Sequence, residues 1–164
     1  MSDPVNPVRA LLAVHPDATY TTSTPVDGPA QDVVTVSAEG YHDLVAGLRH
    51  VGFDVFVDLC GVDYLRRDPR FEVVLNLLSH ALRRRVRVRV GISYDRCAVD
   101  SVTDLFPGAN FYEREAYDLF GIAFEGHPDL TRLLMPDDWV GYPLRKDYSV
   151  GSVPVQFKGA HQAS

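Results

Sequence analysis

The chain has 164 residues, 46% of them apolar and 23% charged, enough for one domain with a real hydrophobic core. A net charge of −6 and a pI near 5.4 argue against a nucleic-acid binder, whose affinity comes from a basic surface neutralising phosphates. No stretch approaches the roughly 18 to 20 apolar residues of a membrane span, and no charged-then-apolar leader opens the chain, so it is expected to be made and kept in the cytoplasm.

Pro4 to Val14 can form a short helix with Val8, Leu11 and Leu12 on one side, stopped by Pro16. Thr19 to Ala30 is polar and carries Pro25, Gly28 and Pro29, the composition of a linker. Val33 to Val36 is a β-branched run. Ser37 is then placed to cap a helix whose apolar positions Tyr41, Leu44, Val45, Leu48 and Val51 follow the helical period up to Gly52. Phe53 to Leu59 and Phe71 to Leu78 alternate as strands across a charged turn, Arg66 to Arg70, giving an antiparallel pair with Phe71, Val73, Leu75 and Leu77 inward.

Arg83 to Ile92 is the cleanest strand. Val86, Val88, Val90 and Ile92 point one way while Arg85, Arg87 and Arg89 form a ladder on the other. That ladder suits a solvated face that discourages edge pairing, or a surface for an anion or acidic partner. Asp100 to Phe106 reads as a helical turn ended by Pro107 and Gly108. The next helix is expected from an Asn110 N-cap, with Glu113 at capping-box spacing, to Gly121. Tyr112, Ala116, Leu119 and Phe120 would be its apolar arc, Glu113 and Glu115 its borders, and Arg114 and Asp118 its far side. Residues two apart on a helix diverge by about 200°, so the two glutamates cannot share one reaction.

Beyond Gly121 neither period continues, yet the chain carries Pro128, Pro136, Pro143, Trp139, Tyr142 and Tyr148. Such a loop suits a surface wrapped over a partner. The fold class that results is α+β, a small mostly antiparallel sheet packed with helices on one side, plus an irregular C-terminal extension. Residues 1–32 would be a helix and linker, 33–124 the α+β domain, and 125–164 the partner-binding segment.

Local chemistry is sparse. Cys60 and Cys97 lie far apart and in no metal-ligand spacing, which predicts reduced thiols and no cluster held by this chain alone. There is no glycine-rich phosphate loop after a strand and no nucleophile elbow. His127, near Asp129, Asp137 and Asp138, is expected to be a hydrogen-bonded turn histidine in preference to a metal ligand. Arg145 and Lys146 beside Asp147 could pair with acids of another chain, or be a solvated cluster.

Glu113-Arg114-Glu115-Ala116-Tyr117-Asp118-Leu119-Phe120-Gly121-Ile122, Gly126-His127-Pro128-Asp129-Leu130, Leu134-Met135-Pro136-Asp137-Asp138-Trp139 and Gly141-Tyr142-Pro143-Leu144-Arg145-Lys146-Asp147-Tyr148 resemble the signature of the C-subunit of respiratory complex I, the proton-pumping NADH:quinone oxidoreductase. The resemblance extends more weakly through Ser101 to Pro107 and Gly61 to Tyr64, and departs at Thr131, where the family usually has a basic residue. It implies a non-catalytic component of the peripheral arm, on the cytoplasmic side and bound to the membrane through the complex alone. Such a component holds no flavin or iron–sulfur cluster; FMN and clusters sit in partner subunits. It braces the neighbouring D-subunit beside the quinone pocket. Glu113, Glu115, Asp118, Trp139, Tyr142, Arg145, Lys146, Asp147 and Tyr148 are the expected interface. Similar chains occur in related membrane-bound complexes that oxidise ferredoxin, reduced deazaflavin, formate or hydrogen. The contrasting reading is an autonomous small enzyme using Glu113, Glu115, Asp118 or His127 as acid and base.

Overall fold

The computed structural model describes residues 6–24 and 31–149. Its elements are α1 (Pro7–Leu12), β1 (Thr19–Ser23), β2 (Gln31–Val36), α2 (Tyr41–His50), β3 (Val55–Asp63), β4 (Phe71–Ser79), β5 (Arg84–Ile92), β6 (Ala98–Asp100), α3 (Ala109–Phe120) and β7 (Ala123–Glu125). The first five strands make one sheet in the order β1, β2, β5, β4, β3, and β6 pairs with β7. Within the large sheet every pair is antiparallel except β2 with β5. The architecture is α+β, as the element order in the sequence predicts.

Alternation drives this arrangement. Phe71, Val73, Leu75 and Leu77 of β4 and Val86, Val88 and Val90 of β5 are fully buried. The register sets Val73 opposite Val90, Leu75 opposite Val88 and Leu77 opposite Val86, so all seven share one face. Val34 and Val36 extend that face across β2. Tyr41, Leu44, Val45 and Leu48, at helical spacing on α2, contribute to the same core. Fully burying each such side chain contributes about 1.5–3 kcal/mol. Helix α3 packs on β3, where a Cβ at Gly61 would lie 2.8 Å from the Phe120 ring; the missing side chain permits this close approach.

Four local expectations are corrected. Residues 19–23 are edge strand β1, paired with β2 from Thr19 opposite Thr35 to Ser23 opposite Gln31; a threonine-rich, solvated strand has no apolar alternation to announce it. The rest of the expected linker, 25–30, lies outside the described residues, as do 150–164 of the C-terminal extension. Helix α2 starts after Gly40, and the Ser37 hydroxyl closes the preceding turn by accepting from the Gly40 N–H at 3.2 Å. Helix α3 has Gly108 as N-cap with no side-chain cap. The chain enters it straight from the preceding turn, with Ala109 N–H donating to Phe106 O at 2.9 Å. This makes Asn110 a first-turn residue and frees Glu113 from capping. Finally, the stretch after Gly121 regains one strand, β7, parallel to β6.

Candidate functional site

The surface that combines fixed geometry with exposed apolar side chains is the strap from residue 126 to residue 149, laid across the end of α3 and the β3–β4 turn. Two buried carboxylates anchor it. Asp118 is fully buried. It accepts from the Arg132 guanidinium at 2.7 Å and from three successive backbone N–H groups, Leu133, Leu134 and Met135, at 3.0, 2.7 and 2.8 Å. Burial pushes its carboxyl up, but the Met135 N–H, Arg132 and the Leu134 and Leu133 N–H groups outweigh burial and hold it below its ordinary value. Arg132 also donates to the carbonyls of Trp139 and Gly141 at 3.0 and 3.3 Å, so one ion pair fixes both arms of the 133–141 loop.

Asp63 is the second anchor. At 3% exposure it accepts from Arg70 at 3.0 and 2.9 Å, from Leu65 N–H at 2.7 Å and from Lys146 N–H at 2.8 Å. The Arg70 guanidinium holds its carboxyl far below the usual range, and that guanidinium also grips both oxygens of Asp147 at 2.9 and 2.7 Å. Planar two-point pairing of this kind fixes orientation as well as charge. Between the anchors Arg145 donates to Phe120 O at 2.6 Å. It also lies 5.0, 5.8 and 4.4 Å from the ring centres of Phe71, Tyr94 and Tyr142.

These contacts revise the roles of the residues expected from sequence. Glu113 is fully buried inside the domain and accepts from Ser101 Oγ at 2.6 Å and Val102 N–H at 2.8 Å. It and Asp118 are both buried, with their carboxylates engaged by groups of this same chain. Glu115 is exposed, so the two glutamates do point to different surroundings. Arg145 and Asp147 are engaged inside the chain, and Lys146 contributes its backbone N–H while its side chain stays exposed. Tyr148 packs against Gly141, and its hydroxyl lies 3.5 Å from Val140 O. Trp139 is half-buried, and its indole N–H has no acceptor among the described residues. His127 bridges Asn110 O at 3.3 Å and Asp129 N–H at 3.0 Å, which makes Nδ1 the acceptor and Nε2 the donor. Among the described residues no group of three His, Cys, Asp or Glu side chains is placed to hold a metal. Thr131 takes up Arg114, accepting at 3.2 Å through its carbonyl and 3.0 Å through its hydroxyl.

Asp63, Arg70, Arg132 and Ser101 carry no local sequence signal for these roles, which depend on contacts up to 83 positions apart. Apolar side chains stand outward beside the exposed Asp137, Asp138 and Lys146. Leu134, Val140 and Leu144 on the strap are 57%, 86% and 51% exposed, and Phe111 on α3 is 61% exposed.

Residues 34–153 match the model of the respiratory-chain NADH dehydrogenase 30 kDa subunit. The chain belongs to that family. An NADH-quinone oxidoreductase C-subunit from Roseiflexus castenholzii is 58% identical over 100 residues, a match spanning 61% of this chain and 58% of that relative's length. Among solved structures, a trypsin-resistant fragment of Nqo5 is 36% identical, with a TM-score of 0.63 over 75% of this chain and 96% of the fragment. A chain from the membrane-bound sulfane sulfur reductase, an archaeal respiratory membrane complex, is 26% identical, with a TM-score of 0.74 over 87% of this chain and 84% of its own. The family match covers the whole strap as far as the structure describes it, from residue 126 to residue 149. No helix among the described residues is long and apolar enough to cross a membrane.

The seating of the strap depends on Gly121, which ends α3 at φ +72°. An added Cβ would lie 2.5 Å from the Tyr142 ring and 2.6 Å from Arg145 Nη2. Gly121→Ala is therefore expected to cost about 1–2 kcal/mol for the left-handed backbone and to lift the strap as well. Limited proteolysis should cut between residues 133 and 146 faster in the variant; equal cutting would show that the strap does not rest on this contact.

Proposed function

We propose that this chain is a non-catalytic structural component of the peripheral arm of an NADH:quinone oxidoreductase. In this reading it stands on the cytoplasmic side of the membrane, holds no redox centre of its own, and braces the D-subunit beside the quinone-reducing module. Electron transfer from NADH, through FMN and iron–sulfur clusters in partner subunits, to quinone with proton translocation would then be the work of the assembly. The observation that carries this is the strap itself. Arg132, Arg145 and Asp147 are spent on holding it to the domain through Asp118, Phe120 O and Arg70, while Leu134, Val140 and Leu144 project outward. Apolar side chains on a pre-ordered loop bind without the entropy cost of ordering it. A second reading, an equivalent component of a related respiratory membrane complex with another electron donor, is favoured by the likeness to the sulfane sulfur reductase chain.

Purification of the tagged chain from its native membrane, with identification of its companions, tests both. Flavin-binding NADH-oxidising subunits among them support the first reading, and another donor module supports the second. Val140→Asp, at a side chain 86% exposed, should leave melting of the free chain within about 0.5 kcal/mol yet lower recovery of companions at least about tenfold, as loss of a buried apolar anchor does. Unchanged recovery would exclude the strap as the contact.

A further inference from the structure

We propose that the helix-free face of the large sheet, around Arg85 and Arg87, is a second docking surface that takes an extended acidic segment of a neighbouring polypeptide, its carboxylates interleaved with small aliphatic side chains. This surface presupposes that the chain is one component of a larger assembly, and it is independent of the strap.

Register puts Val33, Arg87, Asn76 and Asp58 in one row across β2, β5, β4 and β3. The next row carries Thr35, Arg89, Val74 and Cys60. Although the chain as a whole has a net charge of −6, this face has a positive excess, and its acids are already engaged. Glu72 holds Arg89 through both oxygens at 2.8 and 2.7 Å, and Asp58 accepts from the Asn76 amide at 2.6 Å.

Arg87 is different. Its Nε donates to Asn76 Oδ1 at 3.1 Å, which fixes the plane of the guanidinium. The two terminal nitrogens have no partner among the described residues. Arg85 is exposed and likewise has no carboxylate partner among the described residues. A guanidinium oriented through Nε with its outer nitrogens free is set to receive a carboxylate.

The shape specifies more. Thr21, Ser23, Val33, Val74 and Arg87 line a shallow groove over these strands, together with Glu72, whose carboxylate is taken up by Arg89. Its lining combines valines with the free end of Arg87 and two hydroxyls, so an extended segment can set carboxylates on arginine and small apolar groups on valine. A lipid surface would be met better by cations on a protruding tip than by a fork held within a groove. Charge matching of this kind sets specificity and association rate.

The test is photo-crosslinking in the complex purified from its native membrane, with p-benzoylphenylalanine at Ser23, an exposed position on the groove. The expected product is a peptide of a companion subunit containing two or more Asp or Glu residues near the crosslink. The yield per assembled complex should fall about tenfold in the double variant Arg85→Glu, Arg87→Glu, and stay within about threefold in the double lysine variant. Four outcomes would each overturn the proposal: a crosslink to lipid, a crosslink to a peptide without carboxylates, no crosslink in a complex that retains its companions, or a yield indifferent to charge reversal. Absence of any companion polypeptide would instead overturn the assembly reading, and this inference with it.

Discussion

Asp118→Ala is expected to destabilise the chain by about 3–5 kcal/mol, the range for removing one partner of a buried ion pair. The loss is large because the carboxylate serves four donors at once. Without it Arg132, whose side chain is 16% exposed, retains a buried charge, and the N–H groups of Leu133, Leu134 and Met135 lose their acceptor. Each unsatisfied buried donor costs about 1–3 kcal/mol if water cannot reach it, and opening the loop to water is how the chain would reduce that cost. Hydrogen exchange should therefore accelerate at 133–135 beyond the change in global stability. Asp118→Asn should recover little, since its amide nitrogen has nothing to donate to among those donors. Urea unfolding of the free chain measures the effect. A loss under about 1 kcal/mol, or exchange at 133–135 that merely tracks global unfolding, would show that the network does not hold the strap.

How far the sequence discloses this molecule depends on the range of the interaction. Val86, Val88 and Val90 facing away from Arg85, Arg87 and Arg89 is a period-two pattern, and it fixes β5 without knowledge of its neighbours. The same holds for β4 and for the apolar face of α2. Thr19–Ser23 carries no such pattern; it is a strand because β2 offers it an edge, a tertiary effect that overrides weak local preference. On α3 the periodicity misleads. Glu113 and Asp118 are buried while Phe111 and Tyr112 are exposed, an inversion that is stable because Ser101, Val102, Arg132 and the 133–135 amides arrive from other segments. A helical projection ranks side chains by hydropathy and is blind to partners that convert a carboxylate into an interior group. The composition of the C-terminal motif marks it as a wrapping segment. That it first wraps its own domain follows from contacts such as Asp63 with Lys146 N–H, which span most of the chain.

Glu113 should make the chain less stable as pH rises through neutrality. Burial pushes its carboxyl from 4.5 up to about 7, against the Ser101 and Val102 hydrogen bonds that favour the charged form, with Asp104 adding to the rise. Because the folded state holds this proton more tightly than the unfolded chain, the stabilisation is fully present below pH 4.5. It declines by about 1.4 kcal/mol per pH unit up to 7 and is gone above it, a total of about 3 kcal/mol. The aspartates act in the opposite sense. Asp63, Asp118 and Asp147 are held below 3.8, so their contribution is present above that value and disappears as pH falls through their lowered values.

Wild-type stability should therefore peak near pH 4–5 and decline on both sides. Glu113→Gln keeps the size and a carbonyl acceptor for Val102 N–H, and it should flatten the decline between pH 5 and 8 while leaving the acid limb in place. Asp104, which lies 3.0 Å from His42 Nε2, is present in both proteins. The difference between the two profiles therefore isolates the buried carboxyl. Thermal melts across pH 4 to 9 supply the measurement. A decline of equal slope in Glu113→Gln would assign the pH dependence to other groups and leave Glu113 charged in the folded chain, held by Ser101 and Val102 more strongly than burial opposes it.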